Sequence, residues 1–380
     1  MKFLHISDLH IGKRVNEFSM IEDQKYILKQ ILSIAENERA DAVIIAGDIY
    51  DKPVPSAEAV QLFDHFLTEL ADQNKKVFMI SGNHDSPERI AFGAQLMSGR
   101  GVYVSPVYDG TVSKIPLEDE YGELFVYLLP FIKPAVVRHA LEKEPEGNLP
   151  ESYQEAVETA VNRMEVDEQK RNILIAHQFV TGAKRSESEE VIVGGLDNVD
   201  AEVFAGFDYV ALGHIHRPQN IGKETVRYCG TPLKYSFSEE EQEKTVTVIA
   251  FKEKGQIDLD TVPLHPLHDM RTLKGTYNEI MSKSSYPDVK REDYVKVILT
   301  DEEDIIDAMQ RLRTKYPNLM QLEYDNSRTR QNQAIELIQD VEQKSELELF
   351  EEFYEKQNNQ PMNTVQRDYI KHLLEEIQEG

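Results

Sequence analysis

Phe3-Leu4-His5-Ile6-Ser7-Asp8-Leu9-His10 is a short apolar run that stops on an aspartate and a histidine two residues apart. Four more runs stop in the same manner: Ala42-Val43-Ile44-Ile45-Ala46-Gly47-Asp48, Val77-Phe78-Met79-Ile80-Ser81-Gly82-Asn83-His84-Asp85, Ile173-Leu174-Ile175-Ala176-His177 and Tyr209-Val210-Ala211-Leu212-Gly213-His214-Ile215-His216. Each has a strand's length, and the apolar residues follow one another without polar alternation, the pattern of strands covered on both faces. Helical segments separate the runs. This order predicts an α/β fold, a two-sheet sandwich flanked by helices, with the donor residues gathered on one edge.

Local signals agree with that layout. Ser19 with Glu22 predicts a capping box that opens a helix to about Arg39, in which Ile27, Ile31 and Ile34 recur at helical spacing. Ser56 opens a second helix through Leu62, Phe66 and Leu70, Ser86-Pro87-Glu88 a third, and Ser152 with Glu155 a fourth. Further strands are expected over 102–107, 111–116, 124–129, 225–229, 245–251 and 257–262. His265-Pro266-Leu267-His268 marks a boundary, so residues 1–268 read as the main domain. Residues 269–335 hold a strand from Tyr294 to Leu299, a helix from about Glu302 to Lys315 and a strand from Met320 to Tyr324, enough for a small α+β capping domain. Residues 336–380 read as a polar linker and two amphipathic helices. One helix carries Leu349, Phe350, Phe353 and Tyr354, the other Leu373, Leu374 and Ile377, apolar faces that suit either a partner-binding surface or packing on the chain's own domain.

The formal net charge of −26 over 380 residues argues against a protein that coats nucleic acid by electrostatics alone. It leaves room for a site made cationic by bound metal, and so for a phosphate substrate. No apolar run is long enough to span a bilayer, the chain enters a strand without a leader pattern, and the single Cys229, expected half-buried beside Gly230, precludes an internal disulfide. A cytoplasmic protein is the expectation.

The donors suit two divalent cations. Asp8 and His10 are two apart, so in extended chain they point the same way, and His214 and His216 repeat the spacing. Asp48 follows a glycine whose turn can set its carboxylate between two ions, and Asn83 offers a neutral oxygen. His84, beside Asn83, points toward whatever lies above the metals and is the candidate catalytic residue. Asp85 is expected to orient an imidazole from behind, and Asp51 to support Asp48 or cap its loop. Oxygen and nitrogen donors without thiolate favour manganese, magnesium, iron or zinc. Lys13, Arg14, Arg89, Lys184, Arg185 and Arg217, in loops flanking the donor strands, are candidate contacts to a phosphate substrate, and to DNA if the substrate is a nucleic acid.

Asp8-x-His10, Gly47-Asp48, Gly82-Asn83-His84-Asp85, His177 and Gly213-His214-x-His216 together resemble the calcineurin-like metallophosphoesterase superfamily. Ser7-Asp8-Leu9-His10-Ile11-Gly12-Lys13, Gly47-Asp48-Ile49-Tyr50-Asp51, Tyr228-Cys229-Gly230-Thr231-Pro232 and Ser236-Phe237-Ser238-Glu239 resemble its double-strand-break repair nuclease branch. The resemblance implies one metal on Asp8, His10, Asp48 and His216, a second on Asp48, Asn83, His177 and His214, and His84 acting on the substrate phosphate. It further implies manganese, exonuclease and endonuclease action on DNA ends and hairpins, a homodimer within a heterotetramer, and an SMC-like ATPase partner held by the C-terminal helices. Two other readings stand beside it: a phosphodiesterase or phosphatase for a small or protein-borne phosphate, and a non-catalytic DNA-end tether. Protein phosphatases of the superfamily usually carry an arginine shortly after the Gly-Asp segment, and Ile49-Tyr50-Asp51-Lys52-Pro53 has none.

Overall fold

The apolar runs assemble into two six-stranded sheets. The first has the order Ile257–Pro263, Thr245–Phe251, Lys2–Ile6, Ala42–Ala46, Lys76–Ile80, Val102–Val104, with the last four strands parallel and the first two forming an antiparallel edge. The second has the order Gln219–Ile221, Lys223–Tyr228, Tyr209–Gly213, Arg171–His177, Gly122–Leu129, Ser113–Asp119, with four parallel strands between two antiparallel edges. This computed structural model describes residues 1–142, 149–189, 197–282, 290–327 and 329, and Phe350, Glu351, Tyr354, Met362, Thr364, Gln366, Arg367, Tyr369 and Ile370 beyond them.

Alternation along each strand sorts the side chains into three layers. Phe3, Ile44 and Phe78 of the first sheet share one core with Val126, Ile173, Ile175 and Ala211 of the second. Leu4, Ile6, Val43, Ile45 and Val77 face the other way, onto Ile27, Ile31, Phe63, Phe66 and Leu70 of the helices Ile21–Asn37 and Ala57–Asp72. Leu174, Ala176, Val210 and Leu212 pack on Val137, Val157 and Ala160 of the helices Pro134–Leu141 and Tyr153–Asn162. Burial on both faces is why these strands show no polar alternation, and each enclosed aliphatic side chain contributes about 1.5–3 kcal/mol.

Helix starts follow the sequence signals in part. Ser56 accepts from the Ala59 N–H, and Ser152 with Glu155 forms a complete capping box. The first helix departs from expectation: Ser19 lies in a short strand paired with Arg14–Val15, and Met20 occupies the cap position without a side-chain bond. Ser86 spends its hydroxyl on Glu88 rather than on a cap. The helix expected over 302–315 is confined to Ala308–Arg313, because Asp307 before it takes a left-handed φ of 54°. Met270–Gly275, Tyr294–Leu299 and Leu319–Tyr324 form a three-stranded sheet in that order.

Two compact units divide the chain. One comprises 1–273, 286–297 and 309–321, the other 274–285, 298–308 and 322–380. In the second, Lys274 pairs with Asp325, and Ser327 is held by the Glu302 carboxylate. Phe350 and Tyr354 are helical, Phe350 is exposed, and the Tyr354 hydroxyl accepts from Gln366 Nε2 at 2.9 Å. Leu349, Phe353, Leu373, Leu374 and Ile377 lie outside the described residues. No helix among the described residues is long and apolar enough to cross a membrane.

At the start of Arg171–His177, buried Arg171 donates to both Asp119 carboxylate oxygens (2.6 and 3.2 Å) and to the Lys252 carbonyl (2.8 Å). Desolvation opposes the Asp119 charge, but the Arg171 hydrogen bonds outweigh it and hold the carboxyl well below its ordinary 3.8. A depressed folded value gives stability that is present above the unfolded pKa and lost as pH falls through the folded one. Asp119→Asn is expected to cost about 2–4 kcal/mol in urea unfolding at pH 7. The gap to the parent chain should shrink as the pH is taken below 3.8.

Candidate metal centre

Loops at the carboxyl ends of parallel strands from both sheets meet at one place. The loops after Lys2–Ile6 and Ala42–Ala46 pair through their backbones: Asp8 N–H donates to the Gly47 carbonyl (3.0 Å), His10 N–H to Asp48 (3.0 Å) and Ile11 N–H to Ile49 (2.9 Å). Asp85 accepts from the N–H groups of Ile49 (3.0 Å), Tyr50 (2.9 Å) and Gly82 (3.0 Å), clamping the third loop to the second. Asp85 thus orients backbone, where the sequence suggested an imidazole. The carboxylate of Asp48 accepts from His84 N–H at 2.9 Å, and that of Asp8 from His214 N–H at 3.0 Å.

This closeness dictates glycine. A Cβ on Gly213 would stand 1.9 Å from the Ala46 carbonyl oxygen, and one on Gly82 would stand 2.1 Å from Asp48 Oδ1. The backbone is also strained where the donors sit: Asp8, His10, Asp48 and His214 take φ of 53°, 44°, 47° and 101°. Such conformations cost on the order of 1–3 kcal/mol each and persist only where the surroundings over-determine them. Here the loop-to-loop hydrogen bonds do so, and the result is that four donor side chains aim at one space.

Asp8, His10, Asp48, His177, His214 and His216 are buried, and Asn83 and His84 half-buried. Donor atoms of Asp8, His10 and His216, of Asp8, Asp48 and His177, and of His10, Asp48 and His84 lie within 4.8 Å of one another in three overlapping groups. Burial pushes the Asp8 carboxyl up. Burial works against the Asp48 charge too, but His177 and the neighbouring imidazoles hold that carboxyl well below the usual range. Desolvation disfavours a charged His177, and Asp48, 3.4 Å from its Nε2, overcomes this and raises it to about 9. Burial drives His10 down, and His214 to about 3. Two buried carboxylates therefore demand positive charge, which a proton on His177 meets only in part.

The donor set fits divalent cations. His10 Nε2 faces His216 Nε2 at 3.2 Å, and Asn83 Oδ1 faces both His177 Nε2 and His214 Nδ1 at 3.0 Å. The His177 Nδ1–H donates to the Ala46 carbonyl at 2.8 Å, so a cation that replaced the proton Asp48 holds on His177 would meet the Nε2 lone pair. Imidazole nitrogens and an amide oxygen converging on two buried carboxylates make a donor set that a divalent cation takes.

His84 lies at the edge of the group, its Nδ1 3.1 Å from the Asp51 carbonyl and its Nε2 4.0 Å from Asp48 Oδ2. Asp51 stands 3.8 Å from His10 Nδ1 and pairs with Lys13 at 2.8 Å. Among the basic residues, Arg185 is tied to Asp197 at 2.5 Å and stacked on Phe179. Arg14, Arg89, Lys184 and Arg217 are exposed. Cys229 is wholly buried, deeper than expected, with its Sγ 3.1 Å from Ser7 Oγ.

Sequence reasoning missed the supports. Gln24 donates to the His10 carbonyl (2.7 Å) and accepts from Gly12 N–H (2.9 Å), and the Tyr235 hydroxyl donates to the Leu9 carbonyl (2.5 Å). Glu189 accepts from His216 N–H at 2.7 Å. Only the Ser236-Phe237-Ser238-Glu239 segment carried a signal for this region, and it carried no role.

Residues 1–218 match the family model of the calcineurin-like phosphoesterases. The chain belongs to that family. Residues 266–358 match the Type 5 capsule protein repressor C-terminal domain. This calcineurin-like phosphoesterase is 33% identical, over 381 residues, to a subunit of the nuclease SbcCD from Staphylococcus epidermidis, and the match covers 98% of both chains. Solved structures similar to this phosphoesterase include a dimetal phosphatase from Danio rerio (11% identity, 70% of this chain and 98% of that one, TM-score 0.42). Another is the phosphoesterase Yfce from E. coli (13% identity, 70% of this chain and 100% of that one, TM-score 0.28). The α/β sandwich flanked by helices and the divalent-metal phosphoesterase class agree with the reading of the sequence.

Gly82→Ala tests how tightly the loops must approach. The added Cβ would force the Asp48 carboxylate aside. Plasma mass spectrometry should find less divalent metal per chain than in the parent, with an unchanged far-ultraviolet circular dichroism spectrum.

Proposed function

We propose that this chain is the nuclease subunit of a DNA-processing complex, a two-metal exonuclease and endonuclease acting on DNA ends and hairpins in recombination and repair. The observation that carries the reading is the convergence of buried Asp8, His10, Asp48, His177, His214 and His216 with half-buried Asn83, in a chain similar over its length to a subunit of the nuclease SbcCD. One cation would be held by Asp8, His10, Asp48 and His216, the other by Asp48, Asn83, His177 and His214, with manganese the metal proposed for both. When bound, such a pair activates water and neutralises charge on the phosphate.

The residues around it divide the remaining work. His84 is the proposed catalytic residue: with its Nδ1–H donated to the Asp51 carbonyl, its Nε2 is left to contact the phosphate or exchange a proton with the leaving oxygen. Asp85 keeps the loops of Asp48 and His84 in register. Arg14, Arg89, Lys184 and Arg217 are the proposed phosphate contacts, while Lys13 and Arg185, each engaged by an aspartate, contribute less. Residues 1–268 would be the nuclease domain, 269–335 the capping domain, and 336–380 the linker and helices that hold an SMC-like ATPase, SbcC. The assembly would be a homodimer within a heterotetramer in the cytoplasm.

His84→Gln separates the roles. It should keep the parent's metal content and lower Mn²⁺-dependent cleavage of a hairpin DNA by roughly 10²–10⁴-fold. Loss of metal in that variant would make His84 a ligand. A parent chain that hydrolyses a small phosphate ester but leaves hairpin and linear DNA intact would overturn the nuclease reading.

A further inference from the structure

We propose that Ser188 and Glu239 are positioning residues that decide which ring nitrogen His216 presents to the metal centre, through a relay from His216 Nδ1–H to Ser188 Oγ–H to the Glu239 carboxylate. Ser188 Oγ lies 2.6 Å from His216 Nδ1 and donates to Glu239 Oε1. A hydroxyl has one proton to give. Glu239 is fully buried and paired with the Lys244 ammonium at 2.5 Å, so its carboxylate can only accept. Ser188 therefore gives its proton to Glu239 and accepts from the imidazole. His216 then carries its proton on Nδ1, and its Nε2 lone pair faces the space shared with His10 Nε2, 3.2 Å away.

The same cluster grips the His216 backbone. Besides Glu239, Lys244 Nζ has the His216 carbonyl (2.9 Å), Thr231 Oγ1 (2.8 Å) and Gln242 Oε1 (2.9 Å) within hydrogen-bond distance, four acceptors sharing its three protons, and Glu189 accepts from the His216 N–H at 2.7 Å. A buried Glu–Lys pair is weak as a source of stability, because desolvation offsets its attraction. Bonds from its members, or through Ser188, reach the ring and the carbonyl of one histidine, which points instead to placement of that side chain. His177 has the same need met by a backbone acceptor, the Ala46 carbonyl at 2.8 Å. Among the described residues no carbonyl faces the His216 Nδ1, and the Ser188–Glu239 pair takes that place. Partners behind a ligating imidazole are generally worth 10–100-fold in metal affinity.

The proposal rests on reading His216 as a ligand, and the test separates the two. The full chain, stripped with a chelator, is titrated with Mn²⁺ by calorimetry, and the metal-free chain is melted in parallel. Ser188→Ala should weaken one of two binding events by about 10–100-fold and leave the other and the metal-free melting temperature unchanged. Ser188→Thr, which keeps the hydroxyl, should restore the weakened event. If His216→Ala weakens one event and Ser188→Ala weakens none, the relay is wrong and the ligand reading stands. If His216→Ala changes neither event, both fall together. Equal weakening of both events in Ser188→Ala, with a lowered melting temperature and no rescue by threonine, would mark a purely structural role and overturn the proposal.

Discussion

Two carboxylates, Asp8 and Asp48, end adjacent parallel strands with almost no access to water, and the rest of the site is arranged around the positive charge they require. Desolvation of either would cost several kcal/mol if unanswered. Five histidines and an asparagine close over them: the His84 and His214 backbones donate to the two carboxylates, and the rings of His10, His177, His214 and His216 converge with the Asn83 amide oxygen. That asymmetry explains how a chain of net charge −26 can serve a phosphate substrate. The acidic total is spread over the molecule, whereas the local centre is built to be neutralised by metal.

The fold supplies the geometry. Parallel strands deliver the same end of every run to one edge, and the bonds from Asp8, His10 and Ile11 to Gly47, Asp48 and Ile49 continue the pairing past the formal end of the sheet. Left-handed backbone at Asp8, His10, Asp48 and His214 then turns the side chains out of the strand direction. Glycines at 82 and 213 let neighbouring loops approach to distances that no side chain allows. Strain at the donors is balanced by the apolar layers behind them, where Ile44, Ile45, Ile173 and Ile175 are wholly enclosed.

Much of this was legible because each donor is coded beside its own strand. Asp8, Asp48, Asn83, His177 and His214 each follow an apolar run, so order along the chain already implies proximity in space. The supports were illegible for the opposite reason. Ser188, Glu239 and Lys244 act on a histidine 23 to 28 residues away, directly or through one another, from stretches with no periodic signal of their own. Gln24 is a polar residue in a helix whose periodicity marks only its apolar face. Asp85 shows the limit of local reasoning, since an acid among metal-donor residues reads as the support of an imidazole, yet it serves the backbone of residues more than thirty positions earlier. Ser19 shows the same limit at a helix start, where pairing with Arg14 takes precedence over capping propensity.

Anomalous diffraction from crystals of the chain grown with Mn²⁺ tests the central claim most directly. The account predicts two peaks per chain, sharing Asp48, one contacted by Asp8, His10 and His216 and the other by Asn83, His177 and His214. A single peak, or a second one held by residues outside this set, would contradict it.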